Sequence, residues 1–214
     1  CPSGVEYGQL LEIGREMMES KRGKLQALYR YIVRKTLLTP LLFRPIGYFL
    51  RHSKVSSKPI KPNTVDSSVL LMGGCVQPTL APNINHSIKN ILAKLNIEVR
   101  ESSQSECCGA LDQHLAASND ALKKVKRNID NWISQLDSSV EVIISSASGC
   151  GVMIKDYPNL FEESDQYYEK ALLVSSKTKD IAEFLANKDL SRLNLCLLYT
   201  SPSPRDAHES RMPS

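Results

Sequence analysis

The chain of 214 residues is 42% hydrophobic, 23% charged and 6% aromatic, with a formal charge of +4 and six cysteines. That balance is the one expected of a soluble globular chain of one or two domains, and it excludes disordered, collagen-like and disulfide-stapled classes. No apolar run approaches the ~18 residues of a spanning helix, because Pro40, Arg44 and Pro45 interrupt the longest, and the cysteines are too few for a secreted scaffold, so they read as ligands or free thiols in a reducing, cytoplasmic compartment.

The charge is unevenly distributed. Residues 1–63 hold 12 Lys and Arg against 4 Asp and Glu, so this stretch carries +8 and the remainder carries −4. Between Lys21 and Lys61 the basic residues alternate with Leu25, Leu28, Tyr29, Ile32, Val33, Leu37 and Leu38, at a spacing that predicts one or two amphipathic helices. Two readings stay open: a solvated face packed on a neighbouring domain, or a surface that touches anionic lipid headgroups or an acidic partner subunit. No nucleic-acid module accompanies the basic stretch.

Residues 53–67, rich in Ser, Lys and Pro and without periodicity, read as a linker. Beyond it the pattern alternates. Residues 69–72 form a short apolar run closed by Gly73 and Gly74, as in a buried strand and tight loop. Pro78 and Pro82 permit helix starts, and Ile84, Ile88, Ile91, Leu92 and Leu95 share a helical face. Residues 97–100 predict a second strand. A helix is predicted over 119–136, with Leu122, Val125, Ile129, Trp132, Ile133 and Leu136 on its stripe. Residues 140–145 predict a third strand, residues 149–157 a helix that Pro158 stops, and two short helices fit before Lys188. Such alternation predicts an α/β fold, a parallel sheet with helical crossovers, preceded by a basic helical segment. Residues 195–214 follow neither logic. Their core CLLYTSPSPRD resembles translated sequencing adapter, the other reading being a disordered Pro/Ser tail, and on both Cys196 carries no function.

The other cysteines fall where strands end. Cys75 follows the first strand, the vicinal pair Cys107 and Cys108 the second, and Cys150 the third, each beside glycine. Strands of a parallel sheet end at one edge, so these junctions bring four thiols together. Each opens toward a helix N-terminus, which favours thiolates. Four thiolates suit an iron–sulfur cluster or zinc. Zinc sites usually draw ligands in CxxC pairs, which are absent here, and a vicinal pair suits a larger cluster better. Asp112, His114, Lys155 and Asp156 are candidates for hydrogen bonds to cluster sulfur. His86 and Trp132 read as structural.

These residues carry a resemblance. Gly74-Cys75-Val76-Gln77-Pro78, Cys107-Cys108-Gly109-Ala110 with Asp112 and His114, Ala147-Ser148-Gly149-Cys150-Gly151 and Lys155-Asp156-Tyr157 resemble the first cysteine-rich CCG domain of the glycolate oxidase iron–sulfur subunit family. Cys1-Pro2-Ser3-Gly4 looks like that family's exit from its ferredoxin-like region, with Cys1 in the place of the last ligand of CxxCxxCxxxCP. The resemblance implies a fragment: residues 1–52 as the end of a ferredoxin-like region and the basic helical segment, 53–67 as linker and 68–190 as the CCG domain. It implies a [4Fe–4S] cluster on Cys75, Cys107, Cys108 and Cys150, a further metal ligand in Cys1, and no catalytic residue or substrate site in this chain. Related domains hold a noncubane cluster through a CxxC at the third site, whose first position here is Ala147. The implied role is electron transfer from a flavin-containing subunit that oxidises glycolate to glyoxylate toward a membrane acceptor, with peripheral contact at the inner face of the membrane through the basic segment. A zinc-holding docking module, or the same subunit in a lactate or glycerol 3-phosphate system, are the alternatives.

Overall fold

The computed structural model describes residues 7–19, 21–50, 55, 58–102, 107–137 and 139–193. Cys1, Cys196 and the 195–214 tail lie outside the described residues, as does part of the 53–67 segment. Three helices come first, α1 (Tyr7–Glu19), α2 (Lys24–Leu38) and α3 (Pro40–Phe49); the last two lie in the basic stretch whose periodicity predicts one or two amphipathic helices. The break between α2 and α3 follows from Pro40. A residue before proline is pushed out of the helical region, and Thr39 is extended at φ −98° and ψ 108°. Pro40 itself opens α3, where a missing N–H goes unnoticed.

Strands and helices then alternate: β1 (Ser67–Leu71), α4 (Gln77–Leu80), α5 (Pro82–Lys94), β2 (Ile97–Glu101), α6 (Ala110–His114), α7 (Ser118–Ile133), β3 (Val140–Ser145) and α8 (Ser148–Lys155). A 3-10 turn (Tyr157–Leu160), α9 (Tyr168–Lys177), β4 (Thr178–Asp180) and α10 (Ile181–Leu185) complete the order. All strand pairings are parallel and the sheet order is β2-β1-β3-β4, the α/β architecture expected. Pro158 does not terminate the helix before it. It sits second in the 3-10 turn, a position that needs no N–H donor. Ser67, read as the last linker residue, pairs with Ile97 in the sheet. The edge strand β4 has no apolar run to announce it; only Thr178 of its three residues is buried.

The period-two alternation of β1 sorts its side chains onto two cores. Leu70 packs with Val125, Ile129 and Trp132 of α7 and Val174 of α9. Val69 and Leu71 face the other way, onto Ile88 and Leu92 of α5 and Phe184 of α10. The β1–β3 register shifts between Ser68 and Leu70, so that Val140 and Ile143, an odd number of residues apart, share one core. Trp132 is buried in it, as its place on the stripe predicted.

The basic helices are fastened to the α/β unit by directed polar contacts. Arg34 of α2 donates from Nη1 to Asp112 Oδ1 at 2.7 Å and to Asp120 Oδ2 at 2.9 Å, while Lys124 reaches Asp112 Oδ2 at 2.5 Å. The Asp112 side chain is only 2% exposed and that of Arg34 only 9%, so this is a buried ion cluster, not a surface pair. Glu12 of α1 accepts from Gln113 at 2.9 Å. At Gly47, α3 crosses α4 so closely that a Cβ would overlap the Thr79 methyl. Removing one partner of a buried ion cluster leaves its counter-charges uncompensated. Asp112→Ala is therefore expected to destabilise the protein by about 3 kcal/mol, the low end for such pairs because Arg34 keeps Asp120, read as a lowered urea midpoint at unchanged slope; an unchanged midpoint contradicts it.

Candidate metal centre

In this sheet the chain leaves β1 toward β2 on one side, and leaves β3 toward β4 on the other. Between two such strands the following loops diverge to opposite faces and open a crevice at the carboxyl edge, the usual ligand position of open α/β sheets. Cys75 lies four residues beyond the end of β1, Cys150 in the first turn of α8 after β3, and Cys107 and Cys108 between β2 and α6. The two loops of the crevice are tied together by Gln77, whose Nε2 donates to Ser146 Oγ at 2.7 Å and to Asn85 Oδ1 at 2.9 Å, with Asn85 donating in turn to the Gly73 carbonyl at 3.3 Å. Ser145 Oγ donates to the Ala147 carbonyl at 2.9 Å and so shapes the turn into α8.

All four cysteines are free thiols; Cys107 and Cys108 are buried, Cys75 and Cys150 half-buried. Their side chains hydrogen-bond in a line, Cys75 with Cys107, Cys107 with Cys108, and Cys108 with Cys150. Among the described residues no set of three or more His, Cys, Asp or Glu side chains surrounds a single-ion position. The line has one preferred site for negative charge. Cys107 accepts from Cys108 and Cys75, and with the Gly109 N–H and the nearby Lys124 ammonium this lowers its pKa to about 3 against the cost of burial. Cys75 and Cys108, as the donors, are pushed far up, with burial adding to the effect. Cys150 is lowered by its interaction with Cys108, against the cost of burial. Sulfur-only donors in contact, one already favouring the thiolate, fit a thiophilic metal group whose binding replaces the shared protons.

The vicinal pair is held from behind. Asn128 of α7 donates to the Cys107 carbonyl at 3.0 Å, and Tyr157 donates its hydroxyl to the Cys108 carbonyl at 2.9 Å. Burial, slightly offset by the Asn128 hydrogen bond, pushes the Tyr157 phenol well above its ordinary value and keeps it a donor. Gly109 follows at φ +92°, a conformation L side chains rarely adopt, and a Cβ there would lie 3.3 Å from Val125 Cγ2.

Asp112, His114 and Lys155 point elsewhere than sequence proximity implied. Asp112 is bound to Arg34 and Lys124. His114 ends α6 instead of beginning a helix, half exposed, with Nδ1 at 3.1 Å from Glu12 Oε1. Lys155 pairs with Glu183 Oε2 at 2.7 Å. Asn128 and Arg34 went unnoticed as site-supporting residues. The signal for Asn128 was a polar residue beside the buried stripe of Val125, Ile129 and Trp132; Arg34, 78 residues from its partner, offered none.

Comparison with known proteins places these features. The family described as a cysteine-rich domain, CCG, matches residues 69–155. The chain is 35% identical to the glycolate oxidase iron–sulfur subunit of Escherichia coli (strain K12), over 90% of this chain and 52% of that protein. It is 25% identical to the "Probable glycolate oxidase iron-sulfur subunit" of Bacillus subtilis (strain 168), over 92% of this chain and 53% of that protein. Lactate utilization protein A of Bacillus licheniformis is 26% identical over 53% of this chain and 45% of that protein. The chain thus spans about half the length of these relatives. No solved structure matches it significantly. The φ of Gly109 gives the site a direct test. Gly109→Ala is expected to destabilise the protein by about 1–3 kcal/mol, the range for a non-glycine residue held in a sparsely populated region, as a lowered melting temperature of the metal-free chain; a melting temperature equal to wild type contradicts it.

Proposed function

We infer, from the premise that residues 69–155 belong to the CCG cysteine-rich domain family, that this chain is part of an iron–sulfur electron-transfer subunit of a hydroxy-acid-oxidising system, with glycolate as the acid. The observation that carries the reading is the meeting of Cys75, Cys107, Cys108 and Cys150 at one crevice, in a chain 35% identical to an iron–sulfur subunit. These four thiolates would hold a [4Fe–4S] cluster. Ala147, at the position before α8 where a noncubane site would need its fifth cysteine, offers no thiol. When bound, the cluster supplies reversible one-electron transfer.

The chain's own residues supply the setting. Met72, Val125 and Met153 pack with the cysteines and keep water from the buried Cys107 and Cys108, and Lys124 offsets thiolate charge from the α7 side. A flavin-containing partner subunit would oxidise glycolate to glyoxylate, its electrons passing through this subunit toward a membrane acceptor; Cys1 would belong to a preceding ferredoxin-type cluster. The similarity to lactate utilization protein A supports lactate as the alternative acid.

Reconstitution of the protein under anaerobic conditions with iron and sulfide tests this. Bound iron and sulfide in equal amounts and an EPR signal on reduction are expected; one zinc per chain without sulfide overturns the reading in favour of a structural docking module. Cys75→Ser, Cys107→Ser, Cys108→Ser and Cys150→Ser should each lose the cluster, and Cys196→Ser should keep it.

The basic helices would place this cytoplasmic subunit at an anionic surface. Among the described residues no helix is long and apolar enough to cross a membrane. Large apolar side chains nevertheless stand in solvent on α2 and α3, Leu25 at 84%, Leu41 at 82% and Phe49 at 87% exposure, in a stretch that also carries Lys21, Lys24 and Arg44. Apolar side chains flanked by cations bind the interface of anionic bilayers. Co-sedimentation with vesicles containing phosphatidylglycerol is expected, with none on pure phosphatidylcholine; indifference to lipid charge assigns the helices to contact with protein.

A further inference from the structure

Two fully buried polar side chains are committed to the backbone of the vicinal cysteines. Asn128 and Tyr157 are each 0% exposed. The Asn128 amide donates to the Cys107 carbonyl at 3.0 Å and to the Tyr157 hydroxyl at 3.4 Å, and the Tyr157 hydroxyl donates to the Cys108 carbonyl at 2.9 Å. An asparagine amide has two N–H donors and a tyrosine one O–H, so the three donated protons are all accounted for in a single arrangement. Trp132 lies flat against Tyr157, with ring centroids 6.2 Å apart and 6° between planes, which fixes the phenol in place.

The surroundings make this polar pair conspicuous. Both residues sit in or against a core built from Leu70, Val125, Ile129, Trp132, Ile143 and Ile154, where an unpaired amide or hydroxyl would cost free energy and an apolar side chain of similar size would not. What they satisfy are two consecutive carbonyls in a segment that belongs to no helix or strand and needs donors from elsewhere. The consequence is geometric. Consecutive side chains of an extended segment leave on opposite faces, yet the Cys107 and Cys108 thiols hydrogen-bond to each other, and beyond that to Cys75 and Cys150 respectively. With both carbonyls held by donors from α7 and the 3-10 turn, and with Gly109 turning the chain immediately after at φ +92°, the two adjacent thiols stay on one side.

We propose that Asn128 and Tyr157 are positioning residues for the metal centre, holding the Cys107 and Cys108 carbonyls so that two adjacent thiols face one group, and thereby setting how firmly that group is kept and at what potential it takes an electron. The proposal rests on the iron–sulfur reading above. Tyr157→Phe is the sharpest variant, since it keeps the ring and its stacking on Trp132 and removes only the donor; Asn128→Leu removes both amide donations. Tyr167→Phe serves as control, because that hydroxyl donates to Asp130 at 2.8 Å and touches no cysteine.

The reconstituted protein would be followed by iron release to a chelator, redox titration and EPR line shape, with far-UV circular dichroism of the metal-free form confirming the fold. Tyr157→Phe is expected to release iron roughly 10–100-fold faster, the range for lost support of a metal ligand, with a shifted midpoint and altered line shape, while Tyr167→Phe matches wild type. Release rate, midpoint and line shape all equal to wild type in Tyr157→Phe overturn the proposal. Should Asn128→Leu fail to fold, Tyr157→Phe decides alone. If the wild type instead takes up zinc without sulfide, the iron–sulfur reading falls, and zinc release from Tyr157→Phe decides positioning separately: faster release supports it and an equal rate overturns it.

Discussion

Everything at the candidate metal centre depends on the reversal of strand order between β1 and β3. A parallel sheet delivers all its strand ends to one edge, but loops that follow neighbouring strands onto the same face crowd that edge. Here the connection after β1 crosses to α5 on one face and the connection after β3 to α8 and α9 on the other, so the edge between them stays open. Cys75 and Cys150 stand on the two sides of that opening. The vicinal pair arrives from β2, the strand on the far side of β1. Three chain segments separated by tens of residues thus share one site with no local ligand motif. The Gln77, Asn85 and Ser146 network then keeps the two walls in register.

The direction of charge within the thiol line follows from the same placement. Cys107 accepts hydrogen bonds from thiols on both sides, has the Gly109 N–H behind it and a lysine nearby, so the first proton leaves there. Its neighbours then gain by keeping theirs, and burial of each raises the cost of a second thiolate. The four groups titrate as a unit, not as four independent thiols. A cationic group able to accept several sulfurs at once removes that conflict, which is the physical sense in which the site suits a metal cluster.

The parallel α/β order and the gathering of the cysteines were legible because they rest on local signals: the apolar runs at β1 and β3, the helical stripe through Val125, Ile129 and Trp132, glycines beside each thiol. Where local signals were silent, the reading failed in specific ways. β4 is three residues long and only Thr178 is buried, so no pattern marked it. Asp112 and His114 were placed near sulfur by their distance along the chain, but their side chains are claimed by α2 and α1, which come back from 78 and 102 residues away. Asn128 was hidden by the opposite effect. It lies beside the apolar stripe of α7 without belonging to it, and the reason for an amide there exists only once Cys107, 21 residues earlier, is brought beneath it.

The junction between the basic helices and the α/β unit shows why a buried charge cluster serves here in place of apolar packing. An apolar contact would hold α2 against the domain as well or better, since burying ions costs desolvation that their attraction only partly returns. It would not fix how α2 is turned about its axis. Arg34 reaches two carboxylates, Asp112 on α6 and Asp120 on α7, while Lys124 takes the second oxygen of Asp112. Such a set closes in one register and opens if the helix slides by a turn. Because α6 begins directly after Gly109, the same carboxylate that sets the register of α2 lies one helical turn from the vicinal cysteines. Asp112 thus ties the helical lead-in to the short helix that directly follows the cysteine loop, a directed link that a smooth apolar interface would not provide.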